Sequence, residues 1–270
     1  KLGGGALNTG DIKGSGHELH LRYRAAPARI EMLGPDAFVQ SGTAPQAETT
    51  QDMGRRFVFA AQYTGYDATG ATDSTTALNN ARTQARAIKA RLVITGTPLI
   101  SSALTISTKE HWIYDGAVGN SSGARPDSYL LKDDALNADL VTITAADTII
   151  EGGGILGQAG NGGDGYVINA NGVVLLHPYV EACGNDGIRV GTSGGVNANA
   201  FVLYRPSSSL NGRYGINLDD LPGGGSNANA GTVFQPLVQN NVSHGIYVNG
   251  SFYSSIITPL TNSAGNASSA

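Results

Sequence analysis

Residues 177–191 read HPYVEACGNDGIRVG, and the same thin pattern returns twice further along the chain. Three prolines stand 28 and 30 residues apart, at Pro178, Pro206 and Pro236. Nine positions after each proline comes a glycine, followed by an Ile-x-Val or Ile-x-Leu tripeptide at 188–190, 216–218 or 246–248. The loops GGVNANA (194–200) and GGSNANA (224–230) repeat as well. Two series of repeats that agree indicate an internal structural repeat.

Each repeat contains two or three short apolar runs and has no room for a crossover helix. Such a unit cannot bury an apolar face by itself, so successive copies must stack on one another. Stacking in register gives parallel strands about 4.8 Å apart. The repeat therefore predicts a β-solenoid in which the Ile and Val or Leu positions point inward and the residue between them points outward. The repeated glycine is expected at a corner of the coil.

The stretch DSTTALNNARTQARAIKAR predicts the chain's one helix, over residues 74–90. Asp73 or Ser74 is a suitable N-cap. Apolar residues then recur at helical spacing on one face, at Ala77, Leu78, Ala81, Ala85 and Ile88. Because an open solenoid end exposes bare core and unpaired backbone, we expect this helix to cover the N-terminal end. The C-terminal stretch NSAGNASSA offers no such cap, so we expect that the chain is a fragment, or that this end is closed by another subunit or a missing domain.

The composition fits a turn-rich β protein, with 38 glycines, 40% hydrophobic residues and only 14% charged residues. A net charge of −4 without a basic cluster argues against nucleic acid as a partner. No apolar run is long enough for membrane insertion. The single cysteine, Cys183, is expected to be a small buried core residue.

Neither a cofactor nor a metal is expected from the sequence motifs. The run GGGILG (152–157) has the spacing of a dinucleotide-binding turn, but QAGNGGDG follows it where a helix would be needed. The five histidines are scattered and no cysteine pair is present, so the sequence predicts no zinc site.

Two segments resemble the N-terminal region of the β-helix in bacteriophage tailspikes and related tail-associated proteins. The first is AFVQSGTAPQAETTQDMGRR, where the matching residues are Gln40, Gly42, Thr43, Thr50, Gln51, Asp52 and Arg55. The second is YTGYDATGATDSTTALNNA, where they are Gly70, Thr72, Asp73, Thr75, Ala77, Leu78 and Ala81. The departures are an extra residue near Tyr66 and Ser74 where the family favours Asp. The segment ALNTGDIKGSGHELHLRY also resembles a small β module of phage tail fibres.

This resemblance implies an all-β fold, a right-handed parallel β-helix of the pectate-lyase-superfamily type. It implies three regions: a partial, virion-proximal β module (1–33), a neck or linker (34–62) and a parallel β-helix truncated at its C-terminal end (63–270). It also implies a homotrimer in the virion, extracellular and attached to the phage tail or baseplate through the N-terminal part. The β-helix would face the host surface polysaccharide, which some members of the family cleave and others only bind.

Alignment of the repeats predicts columns of outward residues about 5 Å apart. One position before the glycine stand Asp186, Tyr214 and His244, and two positions after it stand Arg189, Asn217 and Tyr247. Three positions after the proline stand Glu181, Ser209 and Gln239. Aromatic rings beside amides and charges suit sugar stacking and hydroxyl recognition. The predicted substrate-binding residues are therefore Arg189, Tyr214, Asn217, His244 and Tyr247; the alternative is that they are ordinary outward polar positions.

Glycoside hydrolysis usually needs two carboxyl groups, about 5–5.5 Å apart for retention or about 6.5–9.5 Å for inversion. The acids nearest the columns are Glu181, Asp186, Asp219 and Asp220, which makes them the catalytic candidates. The alternative is turn chemistry, because Asp is common where strands end. No complete polygalacturonase-like or lyase-like set of residues is present. The sequence thus favours a glycan-recognising tailspike-like protein, leaves depolymerase activity open, and leaves a purely structural neck or shaft as the alternative.

Overall fold

The structure is a computed structural model that describes residues 20–25, 28–33, 57–117, 125–158, 160, 162–191, 197–219, 228–249, 254–258 and 260–262. The chain divides into two compact units, Lys1–Glu48 and Thr49–Ala270. In the first unit, β1 (His20–Ala25) and β2 (Ala28–Leu33) form an antiparallel hairpin.

The second unit is a coil of short strands that stack into three sheets, all of them parallel in the described residues. Sheet I contains β3 (Phe57–Phe59), β4 (Arg91–Ile94), β7 (His111–Tyr114), β10 (Ile149–Glu151), β13 (Val174–Leu176), β16 (Val202–Tyr204), β19 (Thr232–Phe234) and β22 (Ser255–Ile257). Sheet II contains β5 (Leu99–Ile100), β8 (Leu130–Lys132), β11 (Gly154–Leu156), β14 (Tyr179–Glu181), β17 (Ser207–Ser209), β20 (Leu237–Gln239) and β23 (Leu260–Asn262). Sheet III contains β6 (Leu104–Ile106), β9 (Val141–Ile143), β12 (Tyr166–Ile168), β15 (Ile188–Val190), β18 (Tyr214–Asp219) and β21 (His244–Asn249).

This arrangement is a parallel β-helix, as the sequence predicts. Each of the six turns from β4 to β21 contributes one strand to sheet I, one to sheet II and one to sheet III. The sequence repeat is the register of the coil: Ile188 pairs with Ile216, and Ile216 pairs with Ile246. Sheet I already begins at Phe57, which lies inside the segment 34–62 that the sequence analysis gave to the neck. Residues 34–56 lie outside the described part of the chain.

The core is a continuous apolar column inside the coil. Ile188, Val190, Ile216 and Leu218 are fully buried, as the repeat predicts. Val248 is in register with the inward Leu218 but is 48% exposed. Its strand β21 is the edge strand of sheet III among the described residues, so no further strand covers that side of it.

The repeated glycines are required by close packing rather than by backbone conformation. The φ angles of Gly187 and Gly215 lie outside the left-handed region. A Cβ on Gly187 would lie 2.1 Å from Ser208 Oγ and 2.7 Å from Asn211 Nδ2. The left-handed residues of the same corner are not glycines: Ala182, Leu210 and Asn240. The expectation was that glycine is needed here to let the chain bend. The structure shows a different reason, because a β-carbon would collide with the neighbouring turn of the coil.

A column of side chains inside one corner ties successive turns together. Asn211 Oδ1 accepts a hydrogen bond from the backbone N–H of Cys183 at 3.0 Å. Asn241 Oδ1 accepts from both Asn211 N (3.1 Å) and Asn211 Nδ2 (2.8 Å). Cys183 occupies the position of these asparagines one turn earlier, and it is buried as predicted. Burial raises the pKa of its thiol to about 12, so it is an unreactive core residue.

The helix α1 (Thr75–Ala87) covers the N-terminal end of the coil, as the sequence predicts. Ala77, Leu78, Ala81 and Ala85 are buried, and the last three belong to the continuous core. The Asp73 carboxylate accepts the Thr75 N–H at 3.0 Å, which satisfies one of the free amides of the first turn. Among the described residues, no helix combines the length and apolar character needed to cross a membrane.

A buried ion pair fastens α1 to the turn of the coil beneath it. Arg82 and Glu110 form two hydrogen bonds, of 3.1 Å from Nε and 3.0 Å from Nη2, and each side chain is 4% exposed. Arg82 Nη2 also donates to Thr105 O at 2.6 Å, and Trp112 Nε1 donates to Glu110 Oε2 at 2.6 Å. Since every charged group in this cluster has a partner, removal of one group would leave a buried charge uncompensated.

We therefore expect Arg82→Met to lower the free energy of unfolding by about 3 kcal/mol or more, because Glu110 would keep its charge without its main partner. The matched control is Arg86→Met, whose guanidinium is 3.7 Å from Glu110 and about a third exposed, and which should cost less than about 1 kcal/mol. Urea denaturation followed by the fluorescence of Trp112 measures both. Equal losses in the two variants would contradict this role of Arg82.

Candidate functional site

The outward side of sheet III brings together most of the predicted binding residues. The strand register aligns the residues two positions before the first inward side chain into one column: Asp139, Asp164, Asp186, Tyr214 and His244. The residues between the inward positions form a second column: Thr142, Val167, Arg189, Asn217 and Tyr247. Charged groups lie on the turns of β9, β12 and β15, and aromatic rings lie on the following turns of β18 and β21, on the same face.

Three predicted binding residues form an aromatic cluster. Tyr214 and Tyr247 stack with their ring centroids 4.5 Å apart and their planes 3° from parallel. The His244 ring is tilted by 48° and lies 5.5 Å from Tyr214 and 5.9 Å from Tyr247. The Arg213 guanidinium lies 4.9 Å from the centroid of the Tyr214 ring, a cation–π distance. Arg213, Tyr214 and Tyr247 therefore hold one another in a fixed, partly exposed stack.

Asp186 does not point into solvent, which corrects the outward placement inferred from the repeat. It is fully buried, and Arg213 donates to its two carboxylate oxygens at 2.7 and 2.5 Å. Asn217 Nδ2 donates to Oδ2 at 2.8 Å and the Tyr214 N–H to Oδ1 at 3.2 Å. Because Arg213 folds back from the next turn, this carboxylate is enclosed. Asp186 positions Arg213, Tyr214 and Asn217 rather than contacting a substrate.

Asn217 and Arg189 lie beside one another in the second column, but they differ in exposure. Asn217 is 1% exposed, so the expectation of an outward amide is also corrected. Its Oδ1 atom is buried without a hydrogen-bond partner among the described residues. The Arg189 side chain is 25% exposed, with Nε 2.7 Å from Asp164 Oδ2 and Nη2 3.6 Å from Asp139 Oδ2. Arg189 thus presents part of its guanidinium at the surface.

Two aspartates in the first column were missed by the sequence analysis. Asp139 Oδ1 accepts the Asp164 N–H at 2.8 Å, and Asp164 Oδ1 accepts the Asp186 N–H at 2.9 Å, so each carboxylate joins one turn to the next. Burial raises the pKa of Asp164 to about 6, against the opposing effect of Arg189. A signal was available, since DGYVI at 164–168 matches DGIRV at 186–190 in pattern, but no proline precedes it at the repeat spacing.

Glu181 lies on sheet II, apart from the sheet III residues, in register with Ser209 and Gln239. Arg125 donates to both of its carboxylate oxygens, at 2.9 and 2.7 Å, and the Tyr179 hydroxyl also donates to it. Arg125 lowers the pKa of Glu181 more than burial raises it. Glu181 is 7% exposed, so its outward position in the repeat is covered by a side chain from a distant part of the sequence.

The two remaining catalytic candidates cannot be placed in the site. Asp219 ends β18 and pairs through its backbone register with Asn249, but its side chain is outside the described structure. Asp220 lies outside the described residues altogether. Within the part of the chain that the structure describes, no group of three or more His, Cys, Asp or Glu side chains could hold a metal ion.

No protein-family model and no curated protein sequence matches this chain. The likeness to known proteins is one of fold. ORF18 of Geobacillus virus E2 has a TM-score of 0.53 at 15% identity, over 95% of this chain and 48% of that one. The Agl-KA catalytic domain has a TM-score of 0.56 at 13% identity, over 89% of this chain and 46% of that one. This chain therefore spans about half the length of both.

A phage tailspike is also among the similar solved structures. The Dettilon tailspike protein (gp208) has a TM-score of 0.34 at 15% identity, over 76% of this chain and 54% of that one. That score is too low to support an argument by itself. The two stronger matches agree with the parallel β-helix described above and extend no further than the fold.

The raised pKa of Asp164 predicts how the free energy of unfolding depends on pH. Its carboxyl group has an ordinary pKa of 3.8 and one of about 6 in the folded chain, so the folded state holds a proton that the unfolded state has lost. This group's contribution to stability is therefore complete below about pH 4 and falls by roughly 3 kcal/mol as the pH rises through 6.

A comparison of the chain with Asp164→Asn by denaturation between pH 4 and pH 7 isolates this effect, because the asparagine does not titrate. The difference in the free energy of unfolding should fall steadily between about pH 4 and about pH 6, the interval between the two pKa values, and be constant above it. A difference that is constant over this range, or an NMR titration of Asp164 near pH 4, would contradict the role of burial.

Proposed function

We propose that this chain is part of a phage tailspike-like virion protein that recognises a host surface polysaccharide through the outward side of sheet III. The likeness in fold to a protein of Geobacillus virus E2 supports the viral context, and the neck motif at 37–56 supports a place on the phage tail. The N-terminal part would then attach the chain to the tail or baseplate, and the β-helix would face the bacterial surface outside the cell.

The observation that carries the proposal is the ordered stack of Arg213, Tyr214 and Tyr247 on a surface otherwise lined by polar groups. Both tyrosines are half-buried, so the stack is rigid yet still reachable. A sugar ring has an apolar face of C–H groups and a rim of hydroxyls. Tyr247 offers a flat surface for that apolar face. Arg189 and Asp139, which are 25% and 32% exposed, lie two and four turns away and offer donors and acceptors for hydroxyls further along the polysaccharide.

The described carboxylates favour recognition over cleavage. Asp186 is enclosed by Arg213 and Asn217, and Glu181 is held as a carboxylate by Arg125. Each is bound through both oxygens by an arginine, so neither is available to act on a sugar linkage. Asp164 holds a proton up to about pH 6 but is only 1% exposed and cannot reach a substrate. Binding is therefore the function that this surface supports best.

The proposal also includes a homotrimer, which the outward side of sheet I supports. Leu176, Tyr204, Phe234 and Ile257 stand in register on four successive strands. Tyr204 and Phe234 stack at 5.1 Å, and Tyr204 and Ile257 are 37% and 40% exposed. The column beside them is Val174, Val202, Thr232 and Ser255, so these two columns contain no charged residue. An uncharged stripe of this kind is typical of a surface that another subunit covers.

We expect Tyr247→Ala to weaken binding to the recognised polysaccharide roughly tenfold or more, because the sugar loses its stacking surface. The matched control is Phe57→Ala, which removes one ring of the half-buried Phe57–Phe59 pair on sheet I, outside the proposed subunit contact, and should leave glycan affinity unchanged. Affinity electrophoresis in gels containing purified capsule or O-antigen measures both variants.

The same experiment tests the structural alternative. If the unaltered chain is retained by no capsule or O-antigen and by no glycan on an array, the recognition proposal fails and a neck or shaft role is left. Equal losses in Tyr247→Ala and Phe57→Ala would place the glycan elsewhere. Release of reducing ends, or of products absorbing at 235 nm, would show cleavage and overturn the preference for binding alone.

We expect Phe234→Asp to convert the trimer to a monomer, since three carboxylates would be buried at the subunit contacts. Size-exclusion chromatography with multi-angle light scattering measures the mass, and circular dichroism verifies that the β-helix is kept. Tyr247→Ala on sheet III is the matched control and should stay trimeric. A monomeric mass for the unaltered chain would contradict the assembly.

A further inference from the structure

A second concave site lies at the N-terminal end of the β-helix, away from the aromatic stack. It is a cavity of about 430 Å³ between the C-terminal end of α1 and the corner that joins sheet III to sheet I. This volume lies within the range of about 300–1,000 Å³ that small-molecule sites occupy. The cavity is lined by Ala85, Arg86, Lys89, Ala90, Leu92, Thr108, Lys109, Glu110, His111, Asp147 and Ile149.

Most of the cavity wall is apolar, formed by Ala85, Ala90, Leu92 and Ile149. Ala85 and Leu92 also belong to the continuous core, so this part of the wall is rigid. A ligand that fills the cavity must therefore present an apolar ring or short chain to it.

The charged groups at the cavity favour an anion. Arg86, Lys89 and Lys109 supply three positive charges. Of the two acids in the lining, Glu110 is already bound by Arg82 and Trp112. Asp147 is 3.8 Å from Lys109, and both of these side chains are about two-thirds exposed, which makes the pair weak. The excess of positive charge is local, because the whole chain carries −4.

Two features could oppose an anion here, and both are compensated. The C-terminal end of a helix carries a partial negative charge. However, the carbonyls of Gln84, Ala85 and Arg86 accept hydrogen bonds from the N–H groups of Ile88, Ala90 and Lys89. Glu151 lies 2.5 Å from His111, so its charge is directed at the imidazole. The net charge at the cavity is therefore determined by the cationic side chains Arg86, Lys89 and Lys109.

We propose that this cavity binds a small amphipathic anion, an apolar ring or short chain that carries one acidic group. The apolar part occupies the wall of Ala85, Ala90, Leu92 and Ile149, and the acidic group lies at the rim between Lys89 and Lys109. This site is independent of the glycan surface and does not rest on the function proposed above.

The probe for the test is 8-anilinonaphthalene-1-sulfonate, which combines an aromatic body with one anionic group. We expect one saturable site per chain, with energy transfer from Trp112, the single tryptophan, which adjoins the lining residue His111. The double variant Lys89→Glu, Lys109→Glu should weaken the affinity roughly tenfold or more, because two attractions become repulsions. The neutral analogue N-phenyl-1-naphthylamine should be insensitive to that change.

The control must separate the cavity from the exposed apolar patch on sheet I, which also attracts such dyes. Arg205→Glu reverses an exposed charge beside Tyr204 and should leave the affinity unchanged. An affinity that responds to Arg205→Glu or Phe234→Asp and not to the lysine variant would place the dye on sheet I and overturn the proposal. Absence of saturable binding, or of energy transfer from Trp112, would overturn it too.

Discussion

The constant register between successive turns of the coil is the constraint on which the rest of this structure depends. Each strand hydrogen-bonds in parallel to its counterpart one turn away, so a position in one turn is repeated about 4.8 Å further along the axis. Inward positions are then mostly apolar, as Ile188 and Ile216 are, and an inward polar residue such as Ser208 is hydrogen-bonded, here to Gly215 O at 2.8 Å. Outward positions are left free to form columns. The aspartates of the first column and the aromatic cluster of sheet III are both aligned in this way.

Arg213 connects the buried and exposed parts of the sheet III site. Its guanidinium binds both oxygens of the buried Asp186 and at the same time covers one face of Tyr214. Tyr214 in turn stacks on Tyr247. A carboxylate inside the coil thus fixes the orientation of a ring at its surface. This explains why a strongly bonded acid stands where the repeat alone indicated an outward residue.

The sequence was sufficient for features that depend on the repeat itself. The coil, the inward Ile and Val positions, the covering helix and the buried Cys183 all follow from residues at constant spacing. Contacts between distant segments could not be read in this way. Glu181 is covered by Arg125, which lies 56 residues before it, and no repeat links the two. Asp164 belongs to the first column of sheet III, but its turn lacks the proline that marks the later copies. The repeat spacing therefore does not reveal it.

The central claim is that the outward side of sheet III recognises a host glycan, and hydrogen exchange tests it most directly. The amide exchange of the chain would be compared with and without saturating oligosaccharide from the recognised polysaccharide. The account predicts slower exchange in the segments 213–217 and 243–248, with sheet I unchanged. Protection confined to sheet I or to the cavity below α1, with none on these two segments, would contradict it.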